Sequence, residues 1–379
     1  MKIRKVCYIA DSPIPSRWAN SIQIMKMCDA FARKGLQVEL LLPAQSAWKR
    51  SDFEKVHNIW HFYGIKNRFN IKKIPNYTLY FKNVSFNVLA TLFAKLINAD
   101  FVFVRERPEI AAIAINFNVP VIYETHYISY KKVVPILHPL QQKRRIGLVV
   151  ISKWAAYRYE KMGCPHEKIL YAHDGVDLTQ FNHTMSKKEA RKELNLPSNK
   201  TIVCYAGHLY RGKGIETILS CAKMMPNLLF MLVGGQGYDI IFYKELALRQ
   251  NLKNVLFTGF VYNTQIPMYL YSADILVLPQ YKNTEHKGWM SPLKLFEYMA
   301  ACRPIIATNL PTIKEVLVHH HNAILIEPEN QYALYEAIKF ILENKTFAEE
   351  IAQNAYNDVK NFTWDKRVGK ILAFLHKLL

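Results

Sequence analysis

The chain has 379 residues, of which 50% are hydrophobic, and its 50 basic and 30 acidic residues give a formal net charge of +20. Its length exceeds what one hydrophobic core usually serves, so we expect two domains, and its apolar content excludes a disordered chain. Charged or strongly polar residues interrupt every long apolar run, which argues against a membrane-spanning helix. The N-terminus, MKIRKVCYIADSP, favours a first strand over a signal peptide.

The six cysteines are scattered without short paired spacings, which argues against a zinc knuckle, a redox pair or a disulfide framework and predicts a reduced, cytoplasmic setting. The basic surplus is concentrated in the first half. Residues up to Val176 include 27 basic and 12 acidic residues, whereas the remainder includes 23 and 18. This asymmetry indicates an anionic acceptor or membrane as partner, although general solubility would also explain it.

Apolar runs alternate with longer helix-like segments through the first half of the chain, the pattern of parallel strands joined by crossover helices. The first unit consists of a strand, the turn-rich loop DSPIPSRWANS, a helix over IQIMKMCDAFARK that Gly35 ends, and a second strand. This order predicts a doubly wound, Rossmann-like α/β domain. The predicted strands cover residues 6–10, 38–42, 101–104 and 119–123.

The same pattern restarts at residues 201–207 and continues through LLFMLVGG, NVLFTGF, ADILVLP, RPIIAT and AILIEP, which predicts a second domain of the same kind. Between them, MSKKEARKELNLPSNK is charged and poor in strand formers, so the domains change between residues 176 and 200. We predict a first domain over 1–176, a second over 177–362, and a C-terminal amphipathic helix over 363–379.

The segment VCYAGHLYRGKGIETIL predicts an anion site, because a strand ends at Gly207 and a helix follows from about Ile215. Backbone amides at the helix start and the cations Arg211 and Lys213 could surround a diphosphate, with glycines allowing close approach. The alternative is a solvated basic turn. The spacing does not match a Walker loop.

The segment SPLKLFEYMAACRP predicts an exposed helix N-terminus, with Ser291 as N-cap and Pro292 at the first helical position. The amides of Leu293 and Lys294 could bind phosphate oxygens, and Glu297, one turn later, could accept hydrogen bonds from the vicinal hydroxyls of a ribose. The alternative is an ordinary surface ion pair between the lysine and the glutamate.

Three further stretches stand beside these two segments: VGG after a strand, YSADILVLP and KILYAHDGVDLTQF. Through these motifs, nearly the whole chain resembles the retaining glycosyltransferases of the GT-B fold, particularly glycosyltransferase family 4. The resemblance implies two Rossmann-like domains facing a central cleft, with the C-terminal helix crossing back to the first domain. It implies that the second domain holds a nucleotide diphosphate-sugar, that Lys213 and Arg211 neutralise the diphosphate, and that Glu297 binds the ribose. Further donor-binding positions are Gly207, His208 and Gly234.

The sequence departs from the family pattern at several positions. His208 stands where an arginine is usual, and Trp289 stands eight residues before Glu297, where a second glutamate commonly faces the donor sugar. The neighbouring Glu285 stands at a different position and is not assigned that role, so the sequence does not identify the donor sugar. Cys302 replaces a frequent glycine, which bears on local backbone geometry.

In the first domain, VIYETHYIS places His126 just beyond a strand end, where the matching family histidine points toward the donor sugar. We assign it a catalytic role with Arg211 and Lys213, and regard Glu124 as a structural neighbour. Arg105 also follows a strand and is expected in the acceptor region, although an ion pair with Glu106 or Glu109 is the alternative.

Two further segments of the first domain are candidates for acceptor or membrane contact. In the loop over residues 12–21, Ala19, Asn20 and Ser21 stand where the family has a glycine-rich turn, and the latter two could instead cap the following helix. No GxGxxG turn is present, which weakens a dehydrogenase interpretation. The basic, aromatic region 66–83, which contains Phe69, Tyr77, Tyr80 and Phe81, could dock on an anionic membrane or form an exposed strand.

The sequence therefore predicts a retaining transferase that moves a sugar from a nucleotide diphosphate-sugar, with UDP favoured and GDP as the second choice, to a hydroxyl of a glycan or lipid-linked acceptor. The expected setting is cell-surface glycan or glycolipid assembly of bacterial type, in the cytoplasm or peripheral on a membrane. No metal, other cofactor or nucleic acid is expected. The alternatives are a catalytically degenerate protein that binds a nucleotide sugar or an anionic surface, and a sugar-nucleotide epimerase or phosphorylase.

Overall fold

A computed structural model describes residues 2–44, 48–76, 84–142, 145–182, 185–282 and 292–379. The chain forms two compact units. Unit 1 consists of Met1–Asp174 and Trp364–Leu379, and unit 2 consists of Gly175–Thr363. Unit 2 is therefore inserted in sequence between the bulk of unit 1 and its last helix.

Each unit is built around one parallel sheet. Unit 1 has seven strands in the order β3-β2-β1-β4-β5-β6-β7, and unit 2 has six in the order β10-β9-β8-β11-β12-β13. The predicted doubly wound α/β architecture is thus confirmed in both. The strands are β1 Lys5–Ile9, β2 Gln37–Pro43, β3 Asn70–Ile74, β4 Phe101–Arg105, β5 Val121–Thr125, β6 Ile146–Val150, β7 Ile169–Tyr171, β8 Ile202–Ala206, β9 Leu229–Val233, β10 Val255–Gly259, β11 Ile275–Leu278, β12 Ile305–Thr308 and β13 Ile324–Ile326.

Helices connect these strands and cover both sheet faces. Apolar side chains on both sides of the second sheet form two buried clusters, as expected for parallel strands that read as continuous apolar runs. The helices are α1 Ala19–Arg33, α2 Ile59–Tyr63, α3 Val84–Leu96, α4 Pro108–Asn116, α5 Tyr130–Gln141, α6 Lys153–Lys161, α7 Lys187–Glu193, α8 Ile215–Met224, α9 Gly237–Arg249, α10 Ile266–Ser272, α11 Leu293–Ala300, α12 Gln331–Glu343, α13 Lys345–Val359 and α14 Trp364–Leu378.

The first helix ends as the sequence predicts but begins differently. Gly35 follows it with a φ of +81°, a conformation that glycine adopts without strain. The N-cap is Trp18, whose side chain makes no capping hydrogen bond. The prediction that Asn20 or Ser21 caps this helix is therefore wrong, because both residues already lie inside it.

The last helix, α14, closes unit 1. It packs against α1 and β6, and its apolar residues point into the core at helical spacing. A side chain at Gly147 in β6 would overlap the ring of Phe374, so the close approach of helix and strand requires glycine. Within the described part of the chain, no helix is both long and apolar enough to cross a membrane.

Candidate functional site

The carboxyl edge of the second sheet carries the residues predicted to bind the donor. The loop between β8 and α8 leaves one strand of this edge, and α11 follows the neighbouring β11. Ligands of open parallel sheets bind beyond the carboxyl ends of the strands. The structure therefore places the two predicted anion-binding segments at the position where a ligand is expected.

Lys294 reaches from α11 over Gly207 at the end of β8. A Cβ atom on Gly207 would overlap the Lys294 amine, so this contact requires glycine. The Nζ atom donates a hydrogen bond of 2.6 Å to the Tyr205 hydroxyl and lies 4.0 Å from the centre of that ring. Burial and the charge of Lys213 lower the pKa of Lys294 well below its ordinary value, although Glu297 opposes the shift.

Lys294, Lys213 and His208 form a group of basic side chains in which positive charge is disfavoured. Burial lowers the pKa of Lys213. Burial, followed by the charges of both lysines, lowers the pKa of His208 to about 4, and its ring stacks on Tyr210 with centroids 4.7 Å apart. An anion bound nearby would favour the charged forms of these side chains. Arg211, on the same loop, is exposed.

Three glycines fix the loops around this group. The Gly234 amide donates to the Gly259 carbonyl at 2.9 Å, and a Cβ atom on Gly234 would meet the carbonyl oxygen of Gly207 at 2.5 Å. Gly214 has a φ of +81° directly before α8, and a Cβ atom there would overlap the carbonyl oxygen of Pro279. The close backbone contacts of the predicted phosphate loop therefore require glycine at these positions.

The helix α11 begins one residue later than expected. Pro292 is its N-cap and Leu293 its first helical residue, so the prediction that Pro292 opens the helix is wrong by one position. Ser291 lies outside the described residues, as do Trp289 and Glu285. The amides of Leu293 and Lys294 lie in the first turn, where helical N–H groups have no intrahelical partner.

Glu297 lies one turn further along α11 and is half-buried. Its Oε1 atom accepts a hydrogen bond of 3.1 Å from the Asn263 side chain, which sequence reasoning did not single out. The side chain of Lys294 donates to Tyr205 rather than forming the surface ion pair that the sequence left open. A carboxylate held beside a helix N-terminus can accept hydrogen bonds from vicinal hydroxyls.

In unit 1, His126 follows β5 and contacts a buried carboxylate. Its Nε2 atom lies 2.5 Å from Oε1 of Glu124, whose side chain is fully buried. The other oxygen of Glu124 accepts a hydrogen bond of 2.9 Å from Arg367 of α14. Burial alone would raise the pKa of Glu124, but Arg367, then His126 and Arg105, outweigh burial and hold that pKa well below its ordinary value.

Gln23 of α1 connects the remaining polar side chains of this group. Arg105 donates to its Oε1 atom at 2.8 Å, and its Nε2 atom donates to Glu124 at 2.5 Å. Arg105 itself lies 3.9 Å from Glu124. Asp174, at the end of the first segment of unit 1, lies 3.9 Å from Arg367, and burial raises its pKa against the pull of the neighbouring cations.

Sequence reasoning missed Gln23, Asp174 and Arg367. One signal was present for Arg367: it stands on the apolar face of the terminal helix, in register with Trp364 and Ile371. A charged residue at a core position usually has a buried partner. The partner could not be read from the sequence.

The predicted acceptor loop is only partly accessible. Ala19 is exposed and Asn20 half-buried, whereas the Ser21 hydroxyl is buried against the hydroxyls of Ser12 and Ser16 at 2.9 and 2.7 Å. Ser21 therefore stabilises the loop through its side chain.

A cavity of about 310 Å³ opens beside this loop, at the carboxyl ends of β1, β2 and β3. Ile14, Leu42, Trp48 and Phe53 contribute apolar lining, and Arg50 and Lys73 contribute positive charge. An apolar wall with two cations suits a ligand that combines a hydrocarbon part with an anionic group.

The basic, aromatic region is described as far as residue 76, so Tyr77, Tyr80 and Phe81 lie outside the described residues. Phe69 is only 8% exposed and packs edge-on against Trp60. It therefore cannot serve as the membrane contact considered from the sequence. Lys72 and Lys73 are exposed on β3, the edge strand of the sheet.

Comparison with known proteins finds similarity to glycosyltransferases. Residues 186–358 match the family model described as glycosyl transferases group 1. An uncharacterized glycosyltransferase of Methanocaldococcus jannaschii is 25% identical over 56% of this chain and 55% of its own length. The processive diacylglycerol alpha-glucosyltransferase of Acholeplasma laidlawii is 22% identical over 58% of this chain and 64% of its own length.

The chain spans about half the length of the first curated relatives it matches. Likeness of fold extends further: the solved structure of Anabaena HepE in complex with UDP superposes with a TM-score of 0.75 at 16% identity, over 97% of this chain and 99% of that one. The chain therefore has the GT-B fold, and its second unit matches the model of the glycosyl transferases group 1.

Proposed function

We propose that this protein is a retaining glycosyltransferase that takes a sugar from a nucleotide diphosphate-sugar. The observation that carries the proposal is the group of Lys213, Lys294 and His208 over Gly207, where burial and mutual repulsion disfavour positive charge until an anion is bound. A donor diphosphate is such an anion. The match of residues 186–358 to the glycosyl transferases group 1 supports the same class of reaction.

In this proposal unit 2 binds the donor. The lysines and the first-turn amides of α11 bind the diphosphate, and Glu297 binds the ribose hydroxyls. UDP is the favoured nucleotide, because HepE, which shares the fold, was solved with UDP. Arg211 is exposed in the structure and would have to reach the diphosphate from the surface of its loop.

The proposed chemistry places most of the catalysis on the leaving group. Cations and helix amides stabilise the charge that develops on the diphosphate as its bond to the sugar breaks. The acceptor hydroxyl then attacks the face that the diphosphate leaves, and its proton passes to the departing phosphate, so configuration is retained without an enzymic nucleophile. His126 of unit 1 is proposed to contact the donor sugar, and no metal takes part.

The cavity at the ends of β1–β3 is the proposed acceptor site. Its apolar wall and its two cations, Arg50 and Lys73, favour an amphipathic acceptor such as an anionic glycolipid, with the basic surface of unit 1 in peripheral contact with a membrane. The relative from Acholeplasma acts on diacylglycerol by name, which supports a lipid-linked acceptor. Replacing both cations with glutamine should weaken salt-sensitive binding to vesicles that contain phosphatidylglycerol. Unchanged flotation would remove this acceptor site.

The proposed donor can be tested without knowing the acceptor. A thermal-shift screen of UDP-, GDP- and ADP-sugars should show stabilisation by one nucleotide class, since a ligand that binds the native state raises its stability. Mass spectrometry with a panel of lipid and glycan acceptors should then reveal one transfer product with the anomeric configuration of the donor. A product of inverted configuration would contradict the retaining mechanism.

A catalytically degenerate protein is the second candidate, because His208 replaces a cation in the donor loop and its low pKa keeps it neutral near pH 7. Donor binding without transfer to any acceptor would favour it. Interconversion of the sugar on the nucleotide would instead indicate an epimerase.

A further inference from the structure

The C-terminal helix places a fully buried charge behind the proposed catalytic histidine. The Arg367 side chain is 1% exposed, and its three nitrogens are directed at different acceptors. One donates to Glu124 at 2.9 Å, and Nε donates to the carbonyl of His173 at 2.9 Å. The third nitrogen contacts the Ala172 carbonyl at 3.4 Å and lies 3.9 Å from Asp174.

The ionised state of Glu124 determines which nitrogen of His126 carries a proton. An ionised carboxylate only accepts hydrogen bonds, so the 2.5 Å contact requires a hydrogen on Nε2 of His126. In the neutral ring, Nδ1 is then the acceptor. The amide nitrogen of Gln23 donates to the same Glu124 oxygen at 2.5 Å and lies 3.5 Å from Nε2 of His126, so the carboxylate is the close partner of Nε2.

The backbone of His126 is fixed as well. Its N–H donates to the Glu106 carboxylate, and the Thr125 hydroxyl donates to the Tyr127 carbonyl at 3.0 Å. The ring is therefore held from two sides, through its backbone and through Nε2. The side chain remains 15% exposed, which leaves it accessible to a ligand.

We propose that Arg367 is a positioning residue for His126. Its guanidinium keeps Glu124 ionised and oriented, Glu124 fixes the Nε2–H tautomer of His126, and Nδ1 remains available to accept a hydrogen bond from a substrate hydroxyl. The helix that closes unit 1 thereby forms part of its reactive site. The role of His126 in transfer rests on the proposed function, whereas the tautomer does not.

Stability alone is a weak reason to keep such a group, since well-packed apolar residues can replace a buried ion pair with little loss or even a gain in stability. A positioning role predicts a different effect. Without the guanidinium, burial meets less opposition and the pKa of Glu124 rises; once protonated, the acid can donate to Nε2 of His126. The ring must then carry its hydrogen on Nδ1, which can no longer accept.

Nitrogen-15 NMR of the histidine-labelled full chain tests this inference without substrate. The His126 signals are assigned by their loss in H126Q. At a pH at which the ring is neutral, the parent protein should show a protonated Nε2 and an unprotonated Nδ1, R367Q should show the reverse, and R367K should keep the parent pattern because it keeps the charge. D365N is the matched control, since Asp365 of α14 pairs with Arg33 and touches none of these groups.

Kinetics then test the consequence for transfer. R367Q should lower kcat roughly tenfold with the donor KM unchanged within about twofold, and R367K should recover most of the rate. A folded R367Q protein that keeps protonated Nε2 overturns the inference, whatever its rate. If R367Q does not fold, R367K provides the test. A protonated Nδ1 of His126 in R367K would overturn the inference, because the positive charge is kept there. The expected NMR pattern without transfer by any variant would leave Arg367 in place and count against the proposed function alone.

Discussion

Buried positive charges are disfavoured at the donor site of unit 2, whereas in unit 1 a buried positive charge is paired with a carboxylate. At the edge of the second sheet, burial lowers the pKa values of Lys213, Lys294 and His208, and neighbouring basic charge lowers those of Lys294 and His208 further. In unit 1, Arg367 and Glu124 stabilise each other's charged forms, and the arginine pKa is raised against burial. A bound anion would stabilise the basic group of unit 2, whereas the charge of Arg367 in unit 1 is already balanced by Glu124.

This difference separates binding from positioning. A site with an excess of one charge can attract and hold a ligand of the opposite charge, and the fold bears the energetic cost while the site is empty. A compensated group offers little electrostatic attraction to a ligand but fixes geometry. Substitutions at the two groups should therefore affect different measurements.

The largest effect is expected from removing a cation of the donor site. Lys213→Ala should lower transfer roughly 10²- to 10³-fold, because a charge directed at the leaving diphosphate is lost, while the circular dichroism spectrum stays unchanged. Lys223→Ala, at an exposed position of α8, is the control and should keep full activity. Undiminished turnover of Lys213→Ala at saturating donor would defeat the phosphate assignment.

The comparison is sharpened by the stability of two other variants. Glu124→Ala should lower the free energy of unfolding by roughly 3 kcal/mol, because Arg367 loses its buried partner. Lys294→Met should leave stability unchanged or higher at pH 7, since the fold lowers the pKa of that amine and disfavours its charge. Urea denaturation of both proteins measures the contrast. A larger loss for Lys294→Met than for Glu124→Ala would invert the comparison.

The ribose contact should have a smaller effect. Glu297→Gln should weaken the binding of free UDP roughly tenfold, because a neutral amide accepts hydroxyl hydrogen bonds less strongly than a carboxylate does. Isothermal titration calorimetry measures this affinity. Glu245→Gln, at an exposed position of α9, is the control, and equal affinities for both variants would remove the ribose role of Glu297.

The smallest expected signal is a fraction of a proton taken up on donor binding. The pKa values of both lysines are lowered in the empty site, and a bound diphosphate should raise them, so UDP binding should draw protons from the buffer. Affinity should therefore rise as pH falls toward neutrality. Calorimetry at pH 8.5, where the nucleotide is fully ionised, should give heats that depend on the ionisation enthalpy of the buffer. Lys294→Met should reduce the uptake, and proton release would contradict the charge assignment.

The donor half of the site could be anticipated because its signals are local. Strand, glycines, cations and helix start lie within VCYAGHLYRGKGIETIL, and the predicted start at Ile215 agrees with α8. The predicted start of a strand is wrong where a single residue interrupts the backbone hydrogen-bond pattern. Pro120 lacks an N–H, and β5 begins just after it, at Val121, rather than at Val119.

The polar group of unit 1 could not be anticipated in the same way. Its members include residues of α1, β4, β5 and α14, and Glu124 and Arg367 are 243 residues apart in the chain. No local spacing encodes such a pairing. Phe69 is a related case: an aromatic residue among lysines suggested an exposed contact, but it is buried and packs against Trp60.

The insertion of unit 2 before α14 has a consequence for how the protein is made. A ribosome completes Glu124 and Asp174 long before it reaches Arg367, and the whole of Gly175–Thr363 is synthesised in between. Unit 2 can fold as soon as it emerges, whereas the nascent unit 1 lacks Arg367, the arginine that contacts both acidic residues, until α14 has emerged. The first unit to be synthesised is therefore the last to reach its native state, and during that interval it would be the part most dependent on chaperones.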